Sequence, residues 1–396
     1  MRIIHVEDYF FPRAGYQINL LSKYMARKGH EVHIITSKPK PKNTDLNAFF
    51  SANYAKEDAV FEKNHNVKIY RYNSLFEYSG RLWISVNLTK KIIGLNPDVI
   101  FAHGNDTLTS MRITLRYKKL KTPLVLDSHM LRMASKNKFA SLFRFFYRVF
   151  ITPSIIKNKI PVIRTQESNY VNNDLKIPEN LTPHISFGSD VQLFSIDNKK
   201  KHEFRARNKI ADDVKILVYA GKMIQDKGVD LLLNALEKVS DEKLVLLLVG
   251  NIPNSAYGEL LKKLIENLNI TTLRYPTQSY ENLAYYFKIS DFAVFPKQSS
   301  LTFFEAQSAG LPVILEDNAI NKKRIHNENG RLFERESTED LQRAISYYID
   351  LSKEQLLTMS EKIRKHIVEN YDYSLITDEY LNIMEKLIEC EGKYEN

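Results

Sequence analysis

Two lysines stand five residues apart in Tyr219-Ala-Gly221-Lys222-Met-Ile-Gln-Asp-Lys227-Gly228, directly after a short apolar run. At a strand-to-helix turn, paired ammonium groups and the amides of the helix start converge on one spot. That arrangement can neutralise a diphosphate leaving group without a metal ion. The plain alternative is that both lysines are ordinary surface charges. A carboxylate, Glu305, follows another apolar run, in Pro296-Lys297-Gln-Ser-Ser300-Leu301-Thr302-Phe-Phe-Glu305-Ala-Gln-Ser-Ala-Gly310. Inside an apolar, small-residue helix start it can accept hydrogen bonds from a ribose diol, or it only complements the helix dipole. A third loop, Glu7-Asp-Tyr9-Phe-Phe-Pro-Arg-Ala-Gly15, ends on a glycine that permits close approach of backbone to a phosphate or sugar, or that simply opens a helix.

These loops need strands to carry them. Short apolar runs recur at 3–6, 32–36, 67–70, 99–102, 124–126 and 162–163, with helix-period segments such as Ile18, Leu21 and Met25 between them. Alternation of this kind predicts a doubly wound parallel sheet. It restarts after the polar stretch Asp197-Asn-Lys-Lys-Lys-His-Glu, with strands at 216–219, 244–249, 271–275, 292–295 and 312–315 and helices near 228–239, 257–268 and 280–289. The expected architecture is α/β, two facing Rossmann-like domains, residues 1–196 and 197–373. Of the helical segments 340–348, 353–368 and 375–390, the last is expected to cross back so that 374–396 packs on the first domain. The polar segment 37–65 reads as a long loop or mobile helix.

Composition narrows the classes. The chain has 396 residues, 43% hydrophobic and 26% charged, which excludes a small stapled module and wholesale disorder. The lone Cys390 permits no internal disulfide and fits a reducing, cytoplasmic setting. The charged residues close behind the first strand do not form a signal peptide, and no apolar run approaches the roughly 20 residues of a membrane span. No G-x-G-x-x-G follows a predicted strand and no P-loop motif occurs, so nicotinamide dehydrogenases and P-loop nucleotidases lose their phosphate loop.

In order and spacing the chain resembles the retaining glycosyltransferases of the GT-B type, family 4, over nearly its whole length. The residues that carry the likeness are the Gly15 loop, Pro97-Asp98-Val-Ile-Phe-Ala-His103, Asp127-Ser-His129, Phe187-Gly188-Ser-Asp190, Gly221-Lys222 with Lys227-Gly228, Glu305 to Val313, and Asn329-Gly330-Arg-Leu. The resemblance implies that Lys222 and Lys227 hold the donor diphosphate beside Gly221, that Glu305 holds the nucleotide ribose, and that His129 lies beside the donor sugar. Gly15, Lys297, Ser300, Leu301 and Thr302 would complete the donor site. Glu7, Tyr9, His103 and Asp190 are candidates for the acceptor side, although His103 fits a satisfied core histidine equally well. No Asp-x-Asp is present, so no metal cofactor is expected.

The implied reaction is metal-independent transfer from a nucleotide diphosphate sugar, a UDP-sugar by preference, to a saccharide acceptor. Retention would follow from front-face attack by the acceptor hydroxyl as the diphosphate departs. One departure from the family pattern matters: its paired glutamates stand eight positions apart, and the position eight before Glu305 is Lys297. Lys297 could pair with a carboxylated donor or a phosphate, backbone amides of 298–302 could replace the missing contact, or the chain could be a catalytically degenerate sugar-nucleotide binder.

Net charge is +10, yet residues 107–166 alone hold 13 basic residues against one acid, so the surplus is local. Within that window Phe139, Leu142, Phe143, Phe146 and Phe150 follow helical spacing, with Arg144 and Arg148 one turn apart. Such a helix can lie in an anionic membrane surface, or its aromatic stripe can be core. A lipid-linked acceptor at the inner face of the cell membrane, for capsule or O-antigen assembly, would suit the first option. A nucleic-acid partner is not expected, because no recognisable binding module accompanies the basic window.

Overall fold

The computed structural model describes residues 1–39, 53–78, 81–84, 87–129, 140–237, 239, 243–297, 300–326 and 328–392. The described residues divide into two compact units: those up to Phe187 together with those from Tyr373 onward form the first, and Gly188–Asp372 the second.

The first unit is built on β1 (Arg2–Glu7), β2 (Glu31–Ser37), β3 (Val67–Tyr72), a hairpin of β4 (Ser74–Tyr78) and β5 (Arg81–Ile84), then β6 (Val99–Ala102), β7 (Leu124–Ser128) and β8 (Val162–Arg164). Six of these form a sheet in the order β3-β2-β1-β6-β7-β8, and its pairings are parallel. The second unit repeats the plan with β9 (Lys215–Ala220), β10 (Leu244–Val249), β11 (Thr271–Tyr275), β12 (Phe292–Phe295), β13 (Val313–Glu316) and β14 (Gly330–Phe333), ordered β11-β10-β9-β12-β13-β14. Both sheets are doubly wound. Strand order reverses next to β1 and β9, so the loops after β1, β6, β9 and β12 flank the crevices where such sheets bind ligands. Burial explains the strands: β9 and β10 are buried at every position, as parallel strands covered on both faces must be.

Two sequence expectations are corrected, and a third, left open between loop and helix, is resolved in part. The polar run at 197–203 is not a linker but enters the helix Asn198–Asn208, which Asp197 caps by accepting the Lys200 amide at 3.0 Å. Lys201 and Arg205 anchor that helix on Asp291, each at 2.7 Å. The division falls earlier, after Phe187, because the Arg364 guanidinium donates to the carbonyl of Val191 at 2.6 Å and ties that segment to the second unit. Within 37–65, residues 54–65 are a helix, fixed by Arg71 on Asp58 at 2.5 Å and by Phe61 edge-on to Phe10. The remainder, 40–52, lies outside the described residues.

The last helix, Tyr373–Gly392, belongs to the first unit. Its Tyr380 is fully buried and receives a hydrogen bond from the Gln17 amide, while Lys28 pairs with Asp378 at 2.8 Å. Among the described residues no helix is long and apolar enough to cross a membrane.

Candidate active site

In the second unit, β9 ends in the turn that holds Lys222 and Lys227. Tyr219 closes it, its hydroxyl donating to the Lys222 carbonyl at 2.7 Å. Gly228 has φ +65, and a Cβ there would fall 2.7 Å from Cγ of Lys297, so only glycine lets the lysine stem lie across this helix start. Lys222 is exposed and Lys227 half-buried. Burial, then repulsion from Lys222 and Arg324, lowers the Lys227 pKa from its usual value. A single uncompensated cation would not feel two others, so this end of the sheet is a cation cluster that an anion would stabilise.

Glu305 sits in the first turn of the helix Thr302–Ser308 and is buried. Its Oε1 accepts from the Tyr280 hydroxyl at 3.2 Å, and its Oε2 is buried with no hydrogen-bond partner among the described residues. Burial pushes the carboxyl up to about 8, against which Tyr280 and Arg324 act. An orphaned acceptor of this kind is what a hydroxyl-bearing ligand would satisfy. The preceding loop is pinned by Arg324, which donates to the Ser300 carbonyl at 2.6 Å and stacks on Phe303 and Phe304, 5.2 Å from each centroid. Ser300 and Thr302 share a hydroxyl hydrogen bond, and Leu301 is the exposed residue at the helix start. Lys297 turns its ammonium to Glu336 at 3.2 Å. Tyr280 and Arg324 were not expected; the signal for Arg324 was the basic run Lys322-Lys323-Arg324.

In the first unit, His129 follows β7 and is 39% exposed at its side chain. Its ring stacks on Phe187 at 5.5 Å, and Nε2 lies 3.3 Å from Asp127 Oδ1. Burial opposes the charged form, but Asp127 prevails and raises the His129 pKa. Glu7, at the end of β1, accepts the Tyr9 amide at 3.4 Å. Burial, Asp8 and Asp127 push its carboxyl up to about 8, and His129 partly offsets them. Tyr9 has its phenol raised by burial and by Glu77. Gly15 lies one residue before the N-cap of the helix Gln17–Arg27 and does not occupy the left-handed region.

Two acceptor-side candidates move. His103 is 1% exposed and packed on Phe101, with Asp127 at 2.8 Å, so it is a core histidine. Asp190 is buried in the second unit, where it accepts the Leu193 amide at 3.1 Å and its own amide reaches the Tyr280 hydroxyl at 3.4 Å. That hydrogen bond shapes the turn at 190–193. Of the aromatic helix, Phe139 lies outside the described residues. Phe143 packs against the core and under Arg81, whereas Leu142, Phe145, Phe146, Val149 and Phe150 are exposed. The stripe therefore splits, because a π-turn at Tyr147–Ile151 carries Tyr147 and Ile151 inward. Arg144 leans to Asp174 at 3.8 Å, and the Arg148 side chain donates to the Arg144 carbonyl at 3.3 Å.

The family model described as Glycosyl transferases group 1 matches residues 200–366, and that described as Glycosyltransferase Family 4 matches residues 14–155. The chain belongs to the group 1, family 4 glycosyltransferases. Its fold is GT-B, shared along the whole chain with solved structures of low identity. A glycosyltransferase from Rickettsia africae is 17% identical, with 98% of each chain covered and a TM-score of 0.75. Anabaena Alr3699/HepE, solved with UDP, is 15% identical over 98% of this chain and 100% of its own, with a TM-score of 0.74. WaaG, a glycosyltransferase involved in lipopolysaccharide biosynthesis, is 14% identical over 96% and 99%, with a TM-score of 0.65. No curated protein matches in sequence. Within this glycosyltransferase, Lys222, Lys227 and Glu305 share one end of one sheet, and His129 and Glu7 share one end of the other.

Proposed function

We propose that this glycosyltransferase takes its sugar from a nucleotide diphosphate sugar, a UDP-sugar, and passes it with retention to a saccharide acceptor without a metal ion. The observation that carries the reading is the need, at the carboxyl end of β9 and β12, for a further anion beside the mutually repelling Lys222, Lys227 and Arg324 and for a donor to the buried Oε2 of Glu305, which has no partner among the described residues. A nucleoside diphosphate supplies both: phosphate for Lys222 and Lys227, ribose hydroxyls for Glu305. Stabilising the departing diphosphate is then the main catalytic contribution, on the order of several kcal/mol. The UDP held by the Anabaena protein of the same fold supports the choice of nucleotide.

The acceptor in this reading is a lipid-linked saccharide of a cell-surface glycan, and the protein works as a peripheral, cytoplasmic enzyme. Five large apolar side chains exposed on one helix, in the segment where basic residues concentrate, support an anionic membrane surface as partner. Lys297, in place of the family's first glutamate, remains available to an acidic donor, since its pairing with the exposed Glu336 is a surface contact of small worth.

Thermal shift with UDP, GDP and their sugars, followed by donor hydrolysis with and without EDTA, tests the reading. A rise in melting temperature with one nucleotide, turnover that survives EDTA, and loss of both in Glu305→Ala are expected. Stabilisation without any turnover would favour the degenerate binder.

A further inference from the structure

Four titratable side chains form an unbroken line beneath the carboxyl ends of β1, β6 and β7. His5 Nδ1 lies 2.9 Å from His103 Nε2, and His103 Nδ1 lies 2.8 Å from Asp127 Oδ2. Asp127 Oδ1 accepts the Gly104 amide at 2.6 Å and lies 3.3 Å from His129 Nε2. At the outer end, His129 Nδ1 is 3.0 Å from the Thr165 hydroxyl. His5, His103 and Asp127 are 0 to 1% exposed, so water does not reach these three, whereas His129 meets solvent at the outer end.

The protons can be placed by elimination. Thr165 has one hydroxyl proton and donates it to the Ser128 carbonyl at 2.9 Å. Toward His129 its oxygen therefore only accepts, and Nδ1 must carry a proton. Nε2 of the same ring faces a carboxylate oxygen that already receives an amide proton, so it also donates. Inward, His103 Nδ1–H donates to Oδ2, which leaves its Nε2 to accept from His5 Nδ1–H. The far nitrogen of His5 then carries the lone pair, and it is buried with no partner among the described residues. One anion and one cation remain in the line, Asp127 and His129.

We propose that Asp127 is a positioning residue that holds His129 as a resting imidazolium, so that this sheet end presents a fixed positive charge and not a proton acceptor. Burial opposes the ionised carboxyl, but the two imidazoles hold Asp127 well below the usual carboxylate range. Burial keeps His5 neutral. The groups that act on His129 are Asp127 on its own strand, Glu7 from the end of β1 and Asp106 from the loop after β6, all acidic and all favouring the cation. With both N–H bonds committed, His129 cannot deprotonate an acceptor hydroxyl. It supplies charge and a flat, oriented ring. On the transferase reading, this charge faces whatever anionic group a ligand brings to the carboxyl end of the first sheet.

Ligand-free, full-length protein labelled with 15N-histidine gives the direct test, His129 being assigned by comparison with His129→Gln. Both ring nitrogens of His129 should read as protonated at about pH 7.5, and Asp127→Asn should lower its titration midpoint by about 1 to 3 pH units. Activity of Asp127→Asn should then fall more steeply above neutral pH than below it, a change in profile that a merely structural residue would not produce. A singly protonated His129 in the wild type overturns the proposal, as does an Asp127→Asn enzyme weakened equally at every pH with His129 still charged. Should Asp127→Asn not fold, the wild-type spectrum decides alone, and Thr165→Val should alter the Nδ1 signal while leaving the ring charged. The spectroscopic readouts need no donor, so failure to transfer sugar would count against the transferase reading only.

Discussion

The Tyr280 hydroxyl donates to Oε1 of Glu305 at 3.2 Å, binding the first turn of one helix to the only acid on the next. The same hydroxyl receives the Asp190 amide at 3.4 Å, so a loop at the edge of the second unit is wired to the carboxylate that faces the nucleotide in our reading. Tyr280→Phe should leave the fold intact, cost about 1 to 3 kcal/mol of stability, and weaken UDP binding by loosening the aim of Glu305. Chemical denaturation and calorimetric titration with UDP check the two effects.

Glu305 carries a pH signature. Its carboxyl is raised to about 8 by burial, so the folded state holds a proton that the unfolded chain has lost. The associated stability is full below the ordinary carboxylate range and is lost as pH rises toward 8. Glu305→Gln should flatten the fall of melting temperature between about pH 6 and 8.5. Glu7, also raised to about 8, should leave a residual slope that only the double variant removes.

Lys222→Ala and Lys227→Ala should each lower kcat/KM about 100- to 1,000-fold, the size seen when one group that stabilises a developing anion is removed. The deficit of Lys227→Ala relative to the wild type should shrink at high pH, because burial and its cationic neighbours lower the Lys227 pKa and the wild-type ammonium is itself losing its charge there. Steady-state kinetics across pH separates the two lysines.

Lys297→Glu reinstates the acid at the position where the family carries one. It should also repel Glu336, now 3.2 Å from the ammonium, and shift donor preference toward neutral sugars. Hydrolysis of paired neutral and carboxylated UDP-sugars by both proteins measures the shift.

Arg324 acts through shape. Its guanidinium stacks on Phe303 and Phe304 while donating to Ser300, so Arg324→Lys should not rescue Arg324→Ala. UDP affinity should fall in both variants, read by thermal shift.

Much of this was legible in the chain. Strands such as Leu244–Val249 read as continuous apolar runs because helices cover both faces of a parallel sheet. β14, Gly330–Phe333, was missed because it is an edge strand with one buried residue, and the β4–β5 hairpin because its Leu75 and Phe76 are exposed. The lysine pair and Glu305 declared themselves by following apolar runs. Tyr280 and Arg324 did not, since each arrives from a helix 24 or 25 residues distant in sequence. The line from His5 to His129 depends on strand register, which sets β1, β6 and β7 side by side and which no local pattern encodes.

The chain leaves its first unit after Phe187 and returns to it at Tyr373. During synthesis the opening segment therefore emerges lacking the helix that seats Tyr380 against Gln17, and gains it only once the whole second unit has been made. A chain stopped within the second unit should leave the first without that partner for Gln17.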